Sequence, residues 1–589
     1  MEFIAHNLAP IMFAGLICFL LVGFPVAFSL GACGLFFAFI GIEMNVLPEA
    51  LLQALPLRIY GIMQNDTLLA IPFFTLMGLI LERSGMAEDL LDTIGQLFGP
   101  IRGGLALAVI FVGALLAATT GVVAASVISM GLISLPIMLR YGYDRRLAAG
   151  VIAASGTLAQ IIPPSLVLII IADQLGRSVG DMYKGAFLPG LMLTGFYASY
   201  VISLAVIKPQ WVPALPPEAR TLREDNGKSG VPSLLVLTAI CTAASIYVAK
   251  NMPALHTWWS GEAVDKVALD ETIVVSMCFG VALAFVAASF NKITRLGLLS
   301  RAAERVTFAL IPPLLLIFLV LGTIFLGVAT PTEGGAMGAL GAIIMAVIRG
   351  RLSMSLLKQA LNTTTKLSCF VVFILVGATI FGLTFQGVDG PLWVEHLLSG
   401  LPGGQLGFLI VVNIMVFFLA FFLDFFELSF IVVPLLAPVA DKLGIDLIWF
   451  GVLLAINMQT SFMHPPFGFA LFYLRSVAPA KEYMDKVTKK MIAPVTTTQI
   501  YWGAIPFLCI QILMVVLVIT FPGIVSSGLD KAEVYDLDKV RLEMEANMPA
   551  SMEQADPTAG MPGSEAPAAE DDPLKAMQES LSQDAEKKN

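Results

Sequence analysis

The chain has 589 residues, of which 57% are hydrophobic and 13% are charged, and its formal net charge is −9. Soluble domains carry about 25% charged residues, so the composition excludes an ordinary soluble protein. It also offers no basic surface for nucleic acid, and no nucleic-acid partner is expected. Apolar runs of roughly 20 residues recur along the chain, which predicts an all-α polytopic membrane protein with about 12 transmembrane helices.

The first predicted repeat covers residues 1–207. No signal-peptide pattern stands out at its start, so the first apolar run is interpreted as mature protein. The runs on either side of Pro25 are treated as separate spans. The predicted spans lie near residues 11–24, 25–42, 67–83, 147–175 and 186–207.

The apolar stretch 105–139 is predicted to be a re-entrant hairpin, which enters and leaves on the same side of the membrane. Its centre reads "LLAATTGVVAASVIS" and places Thr119, Thr120 and Gly121 at the bend. We expect a tip of small residues that presents hydroxyl and carbonyl oxygens.

The span 147–175 is predicted to be broken within "ASGTLAQIIPPSLVLIII". Proline lacks the N–H that a helix needs, and the residue before a proline is pushed out of the helical region. Such backbone is tolerated at membrane depth only where protein covers it or where it lines a cavity. The residues of this first break are Ser155, Gly156, Thr157, Pro163, Pro164 and Ser165.

Residues 208–300 are interpreted as an inserted linker with two extra spans, near 232–250 and 274–290. A second repeat is predicted over residues 301–528. In "VATPTEGG", Thr330, Thr332 and Glu333 are expected at a helix start, where Thr and Glu side chains cap free N–H groups. The spans of this repeat lie near residues 310–328, 332–349, 366–385, 447–475 and 498–522.

A second hairpin is predicted over residues 405–440, and a second broken helix over 447–475. The hairpin centre "FFLAFFLDFFELSFIVV" holds Asp424 and Glu427, and a carboxylate at that depth is a functional candidate because it is costly. His464 is interpreted as a polar neighbour at the break, with proton relay as the alternative. The residues of the second break are Asn457, Gln459, Thr460, Ser461, His464, Pro465 and Pro466.

Residues 529–589 carry 15 acidic and 6 basic residues, and their composition predicts an acidic disordered tail. The remaining chain has 28 residues of each sign and is neutral. The six cysteines lie in apolar runs without CxxC spacing and are interpreted as packing residues.

The two halves resemble each other at a constant offset of 302 residues. Segment 135–165 aligns with 437–467, so that Pro136, Gly142, Asp144, Pro163 and Pro164 each meet an identical residue. Internal repeats of this kind are typical of secondary transporters. The double-proline break therefore occurs once in each repeat.

The distribution of positive charge indicates that the repeats are inverted. With the spans above, 22 Lys and Arg residues outside the tail fall on one side of the membrane and 6 on the other. The crowded side is expected to be cytoplasmic. This arrangement places both termini in the periplasm and makes the two hairpins enter from opposite sides.

The residues at the breaks indicate a site for a hard cation. Half-helix ends expose N–H groups that favour anions and carbonyls that coordinate small cations. Hydroxyls, carbonyls and one carboxylate suit Na⁺, and no His/Cys cluster of a transition-metal site is expected. No cofactor is predicted besides the coupling ion, which is Na⁺ or H⁺.

Several motifs resemble the large membrane subunit of tripartite ATP-independent periplasmic (TRAP) transporters. They are "IPFFTLMGLILERSG" (71–85), segment 135–165, "GAFLPGL" (185–191), "GVATPTEGGAMGALGA" (327–342) and the segment from "FFLDFFEL" to "HPPFGFALF" (421–472). The 208–300 insert and the form of the second break resemble the branch described for mannitol or chloroaromatic compounds.

This resemblance implies an elevator-type, Na⁺-driven importer of organic acids in the bacterial inner membrane. It further implies a periplasmic binding protein that delivers substrate and a small four-helix membrane subunit as partners. The family's Na⁺ sites carry over to Thr119, Thr120, Gly121, Ser155 and Gly156, and to Asp424, Asn457, Gln459 and Thr460. The chain departs from the family at "TTGVV", where Ser-Gly-Ser is usual, and at His464, where Thr is common.

Three other interpretations stay open, and one of them is a purely structural membrane subunit. The chain could be a stand-alone Na⁺/dicarboxylate symporter of the same superfamily. It could also be an intramembrane enzyme that uses Asp424 and Glu427 as a carboxylate pair, although neither a nucleophile nor the repeat supports that reading.

Overall fold

The computed structural model describes residues 7–222, 230–261, 269–295, 297–485 and 487–527, with Glu224, Val267 and Leu529. The predicted acidic tail, apart from Leu529, lies outside these residues. So do the side chains of Thr119 and Thr120, for which only the backbone is described.

The described chain is helical almost throughout. In the first half the helices are α1 Leu8–Val22, α2 Val26–Glu43, α3 Leu55–Met63, α4 Ala70–Arg83, α5 Met86–Phe98, α6 Gly104–Thr120, α7 Val123–Arg140, α8 Arg145–Thr157, α9 Leu166–Leu175 and α10 Val179–Ile207. The insert holds α11 Val231–Lys250, α12 Met252–Ser260 and α13 Leu269–Thr294.

In the second half the helices are α14 Arg301–Ile317, α15 Thr323–Phe325, α16 Pro331–Ile348, α17 Met354–Gly387, α18 Gly390–Ser399, α19 Gly404–Leu419, α20 Phe425–Lys442, α21 Leu447–Gln459, α22 Phe469–Val477, α23 Thr497–Thr520 and α24 Gly523–Ser526. A π-helical turn, Phe318–Gly322, joins α14 to α15. Short 3-10 turns are Glu49–Ala54, Asp66–Leu69, Leu158–Gln160, Pro209–Trp211, Pro217–Ala219 and Thr460–Phe462. Two two-residue strands, β1 Tyr483–Met484 and β2 Met491–Ile492, pair antiparallel in the loop before α23.

The prediction of an all-α polytopic membrane protein is confirmed. Among the described residues, nine helices are long and apolar enough to cross a membrane, or up to eleven if each bent pair is one span. One of the nine is α7, an arm of the first hairpin. In the described chain, three predicted spans contain neither a helix long enough to cross a membrane nor part of a bent pair. They are the first span, which is α1, and the two broken helices, in which each piece is too short by itself.

Several predicted boundaries were wrong. The span predicted at 366–385 is part of α17, which begins at Met354. Its predicted counterpart at 67–83 corresponds to Asp66–Arg83, and the prediction missed the preceding arm, Glu49–Met63, which meets it at 47°. The surface helices α5 and α18 were not predicted at all, because their charged residues interrupt the apolar pattern.

In each stretch predicted as a hairpin, two helices are joined by a short turn, and re-entry into the membrane stays a prediction. The N–H of Leu105, at the start of α6, donates to the Tyr143 hydroxyl just beyond α7 at 3.2 Å. In the second repeat, Nε2 of Gln405, at the start of α19, donates to the Leu443 carbonyl just beyond α20 at 2.7 Å. The start of the first helix and the end of the second helix therefore lie side by side in each pair.

The residues that are identical at the 302-residue offset hold equivalent structural positions. Gly142 and Gly444 have φ angles of +83° and +71°, a region that favours glycine. Asp144 and Asp446 are the N-caps of α8 and α21, and their carboxylates accept N–H groups of the first turn. The Pro163–Pro164 and Pro465–Pro466 bonds are both cis.

Helices of one repeat pack against helices of the other at backbone contact. A Cβ on Gly34 of α2 would lie 2.9 Å from the Ile380 backbone of α17, and a Cβ on Gly150 of α8 would lie 2.0 Å from the Gly503 carbonyl oxygen of α23. The repeats are thus interlocked rather than separate.

The loop between α22 and α23 is tied to the first hairpin. Arg140, the last residue of α7, donates from Nε to the Asp485 carboxylate at 3.0 Å. Burial acts to raise the pKa of Asp485, but hydrogen bonds from Thr488 and Arg140 outweigh it and hold the pKa at about 2. The ion pair is therefore maintained above that pH and lost only as pH falls through it.

The inverted repeat gives a labelling prediction. Arg102→Cys and Pro402→Cys place exposed thiols at the bases of the two hairpins. On a background without the native cysteines, position 102 should react with an impermeant maleimide from the cytoplasm and position 402 from the periplasm. Pro402 is preferred to Gly403, whose φ of +97° disfavours a side chain. Reaction of both thiols from one face would rule out inversion.

Candidate functional site

The first hairpin tip lies on the first break. A Cβ on Gly121, which has a φ of +59°, would stand 3.5 Å from the Pro164 carbonyl oxygen and 3.4 Å from Leu166 Cγ. Deeper in, a Cβ on Gly156 of α8 would lie 2.3 Å from Val127 Cγ2 of α7. Glycines thus let the broken helix and the hairpin approach at backbone distance.

The predicted ligands of the first break have different surroundings. The Ser155 hydroxyl is buried and has no hydrogen-bond partner among the described residues. Thr157 donates to the Ala154 carbonyl at 2.8 Å. Ser165 donates to the Gln160 carbonyl at 2.5 Å and also caps the start of α9, which gives it a structural role. Ser155 is the hydroxyl most available to an ion.

The second tip is built around a capping box. Oδ1 of Asp424 accepts the Glu427 N–H at 3.1 Å, and Oε2 of Glu427 accepts the Asp424 N–H at 3.0 Å. Both donors at the start of α20 are therefore satisfied by carboxylates. The Asp424 carboxylate has this structural role in addition to the ion-binding role expected from the sequence.

The residues of the second break are anchored to the second hairpin. Nδ2 of Asn457 donates to the carbonyl and Oδ1 of Asn413 on α19, at 2.8 and 2.9 Å. Thr460 donates to the Asn457 carbonyl at 2.6 Å. Since the Asn457 amide nitrogen is fixed by Asn413, its Oδ1 is the atom that can face a cation. Sequence reasoning missed Asn413, which is a lone polar residue in an apolar helix.

The two breaks meet at a polar cluster between the repeats. Nε2 of Gln459 donates to Oγ1 of Thr157 at 3.1 Å, and these residues are separated by the repeat offset of 302. Nε2 of Gln511 on α23 donates to Thr157 at 3.4 Å and to the Tyr197 hydroxyl at 3.0 Å. Gln459 therefore links the two broken helices.

His464 lies between two aromatic rings of α19 and the second tip. Its ring centroid is 4.2 Å from Phe417, edge to face, and 4.2 Å from Phe421, stacked. Neither ring nitrogen has a hydrogen-bond partner among the described residues, and the same holds for the Ser461 hydroxyl.

The helix-start residues of "VATPTEGG" stand apart from the breaks. Thr330 and Glu333 form the expected capping box of α16. Thr332 donates to the Asp66 carbonyl at 2.5 Å and so ties α16 to the bent element of the first repeat. These exposed residues support the fold.

A cavity of about 250 Å³ lies where the two tips and the two breaks converge. Leu367 and Phe370 of α17 line one side of this cavity. No group of three His, Cys, Asp or Glu side chains that could hold a metal ion occurs among the described residues. The lining residues are Gly121, Val122, Val123, Ala124, Gln160, Leu166, Leu367, Phe370, Asp424, Phe425, Phe426, Phe462, Phe469 and Tyr473.

Gln160 is a site residue that the sequence-based selection omitted. Its side chain is 1% exposed, and neither Oε1 nor Nε2 has a hydrogen-bond partner among the described residues. The available signal was a primary amide directly before the two isoleucines that precede the double proline.

Comparison with known proteins places these features in a family. The family model described as "Tripartite ATP-independent periplasmic transporter, DctM component" matches residues 13–524. The C4-dicarboxylate TRAP transporter large permease protein DctM of Rhodobacter capsulatus is 27% identical over 481 residues, which cover 79% of this chain and 89% of that protein. The isethionate TRAP transporter permease protein DctMQ of Oleidesulfovibrio alaskensis is 26% identical over 486 residues, which cover 82% of this chain and 63% of that protein. The crystal structure of the YdaH transporter of Alcanivorax borkumensis aligns with a TM-score of 0.46 at 13% identity, covering 80% of this chain and 88% of that one.

The close approach at Gly156 gives a packing prediction. Gly156→Ala places a methyl group against Val127, 3.1 Å from its backbone nitrogen, so α7 must move away from α8. Overpacking costs roughly 1–3 kcal/mol, and we expect a lower melting temperature in detergent. Gly195→Ala on α10 is the matched control, because a Cβ there meets nothing within 4 Å. Equal melting of the two variants would contradict the close contact.

Proposed function

The chain belongs to the DctM family, the large permease component of tripartite ATP-independent periplasmic transporters, and we propose that it imports organic acids by Na⁺-coupled secondary transport. The single observation that carries this proposal is the convergence of two hairpin tips and two broken helices on one cavity. Broken helices are where transporters bind ions and substrates, because half-helix ends are free there.

The donor set supports Na⁺ as the coupling ion. At the first break, the unpartnered Ser155 hydroxyl belongs to a turn of α8 that packs against Gly113 of the first hairpin, and the Pro164 carbonyl oxygen lies close to the tip residue Gly121. At the second break, the oxygen atoms are supplied by the Asp424 carboxylate, by Oδ1 of Asn457 and by Thr460. These are hard ligands, which suit Na⁺ rather than a transition metal. Because His464 is held between aromatic rings, H⁺ coupling through it is the less favoured alternative.

The interlocked repeats support an elevator-type cycle. We propose that the hairpins and broken helices move as one body, since they contact each other at backbone distance and share the Thr157–Gln459 link. The inverted topology would then expose the cavity first to the periplasm and then to the cytoplasm. Both termini are proposed to be periplasmic, in a bacterial inner membrane.

TRAP large permeases work with a small membrane subunit and a periplasmic binding protein, and we propose both as partners here. A stand-alone Na⁺/dicarboxylate symporter is the weaker candidate, because the family match covers nearly the whole membrane portion. The enzyme reading loses its support, since Asp424 and Glu427 bond to each other's backbone in a capping box. The mannitol or chloroaromatic branch stays a prediction about substrate.

Replacement of Asp424 tests the Na⁺ proposal. Asn caps a helix as well as Asp does, so Asp424→Asn should preserve the start of α20 while removing the charge. In proteoliposomes that contain the permease, the small subunit and the loaded binding protein, we expect Na⁺-driven uptake to fall at least tenfold and its Na⁺ dependence to weaken.

Asp446→Asn is the matched control, because Asp446 caps α21 through the Trp449 N–H and does not line the cavity. Its uptake should stay near that of the parent protein. If Asp424→Asn retains the parental Na⁺ dependence, Asp424 is not a Na⁺ ligand. If the parent itself imports equally well with choline replacing Na⁺, the coupling proposal fails.

A further inference from the structure

The two helix starts that face the cavity differ in one decisive respect. At α20, the carboxylates of Asp424 and Glu427 occupy the free N–H groups. At α7, the N-cap is Val122, which has no side-chain oxygen to accept an N–H of the first turn. The first N–H groups of a helix have no intrahelical partner and favour an anion. Of the two helix starts at the cavity, the start of α7 is therefore the one that the cap residue leaves open to an anionic ligand.

An unpartnered amide stands beside that free helix start. Gln160 lines the same cavity as Gly121, Val122 and Val123, is 1% exposed, and has no partner for Oε1 or Nε2 among the described residues. A buried amide without a partner is costly. A ligand that accepts a hydrogen bond from Nε2 would satisfy that donor, and a carboxylate oxygen is such an acceptor.

The other wall of the cavity is aromatic. The rings of Phe370, Phe426, Phe425, Phe462 and Phe469 follow one another with centroid separations of 6.1, 3.9, 6.1 and 5.9 Å. All five line the cavity. We name this set the aromatic row. Its five rings offer apolar surface for the body of a ligand and no charged partner for a second carboxylate, and the Tyr473 hydroxyl is a polar group that also lines the cavity.

We propose that the cavity selects a monocarboxylate with an apolar body, and that Gln160 is the residue that recognises its carboxylate. The carboxylate lies between Gln160 and the start of α7, and the body lies against the aromatic row. None of the lining residues is Lys or Arg, so a second carboxylate of a dicarboxylate would be buried without a cationic side chain to pair with. The inference rests on the proposed transport function and adds the substrate class.

Competition binding with small probes tests the substrate class without altering the protein. The full-length chain in lipid nanodiscs is equilibrated with radiolabelled benzoate in sodium chloride. Unlabelled benzoate should compete well. Acetate lacks the apolar body and succinate adds a second charge, so both should compete at least tenfold more weakly. Competition by succinate or acetate that equals that of benzoate would overturn the proposal.

Variants at Gln160 test the recognition itself. Gln160→Leu keeps the bulk but loses the donor, and benzoate should bind about tenfold more weakly, as expected for a hydrogen bond to a charged group. Gln160→Glu keeps the shape but repels an anion, so it should lose benzoate and retain neutral benzamide. That reversal distinguishes recognition from misfolding. Gln53→Leu, on the exposed Glu49–Ala54 turn, is the control and should bind benzoate as the parent does.

The outcomes separate this inference from the proposed function. Benzoate binding by Gln160→Leu that matches the parent, or no benzoate binding by the parent in sodium chloride, would overturn the inference while leaving Na⁺-driven uptake by the assembled complex intact. Benzoate binding as described, with no Na⁺-driven uptake of any organic acid by that complex, would instead overturn the transport proposal.

Discussion

Interrupted helices inside an apolar environment are the constraint on which this structure depends. Backbone groups that leave a helix at membrane depth cannot turn to water, so they must be covered by protein or line a cavity. Each break here is covered by a hairpin of its own repeat, and the contact at Gly121 and Pro164 shows how closely the first one fits. A hairpin that shifted alone would leave polar backbone exposed to lipid. Hairpin and broken helix are therefore expected to form one mechanical unit.

A direct hydrogen bond between the two repeats connects the two units. Thr157 and Gln459 occupy equivalent positions and bond directly to each other, so a pseudo-symmetry axis passes between them. Gln511 and Tyr197 extend the cluster on buried side chains. Polar contacts in a low-dielectric interior are costly to break once they are satisfied. The cluster thus favours movement of both broken helices together over movement of either one.

The sequence predicted the parts of this arrangement that depend on backbone chemistry. Double prolines and the turn residues Gly142, Asp144 and their counterparts have few structural alternatives, and they marked the repeat and the breaks. Partners that meet only in three dimensions were missed. Asn413 is distant in sequence from Asn457, and Gln160 is notable only because its buried amide lines the cavity and has no partner among the described residues. Helix α5 was missed because Asp89 and Asp92 break its apolar pattern, although they pair with Arg349 and Arg305 of the other repeat.

Function in a symmetric scaffold depends on where the symmetry is broken. An inverted repeat with two identical halves would present two equivalent helix starts to the cavity, and a ligand could then bind in two opposite orientations. Here the second start carries its own carboxylate at Asp424, whereas the N-cap of the first is Val122, which has no capping side chain, and Gln160 lines the same cavity. The aromatic row belongs entirely to the second repeat, which is a further difference between the two repeats at the cavity. An anionic group is thereby directed to the first repeat and an apolar group towards the second, which gives the bound molecule a single orientation.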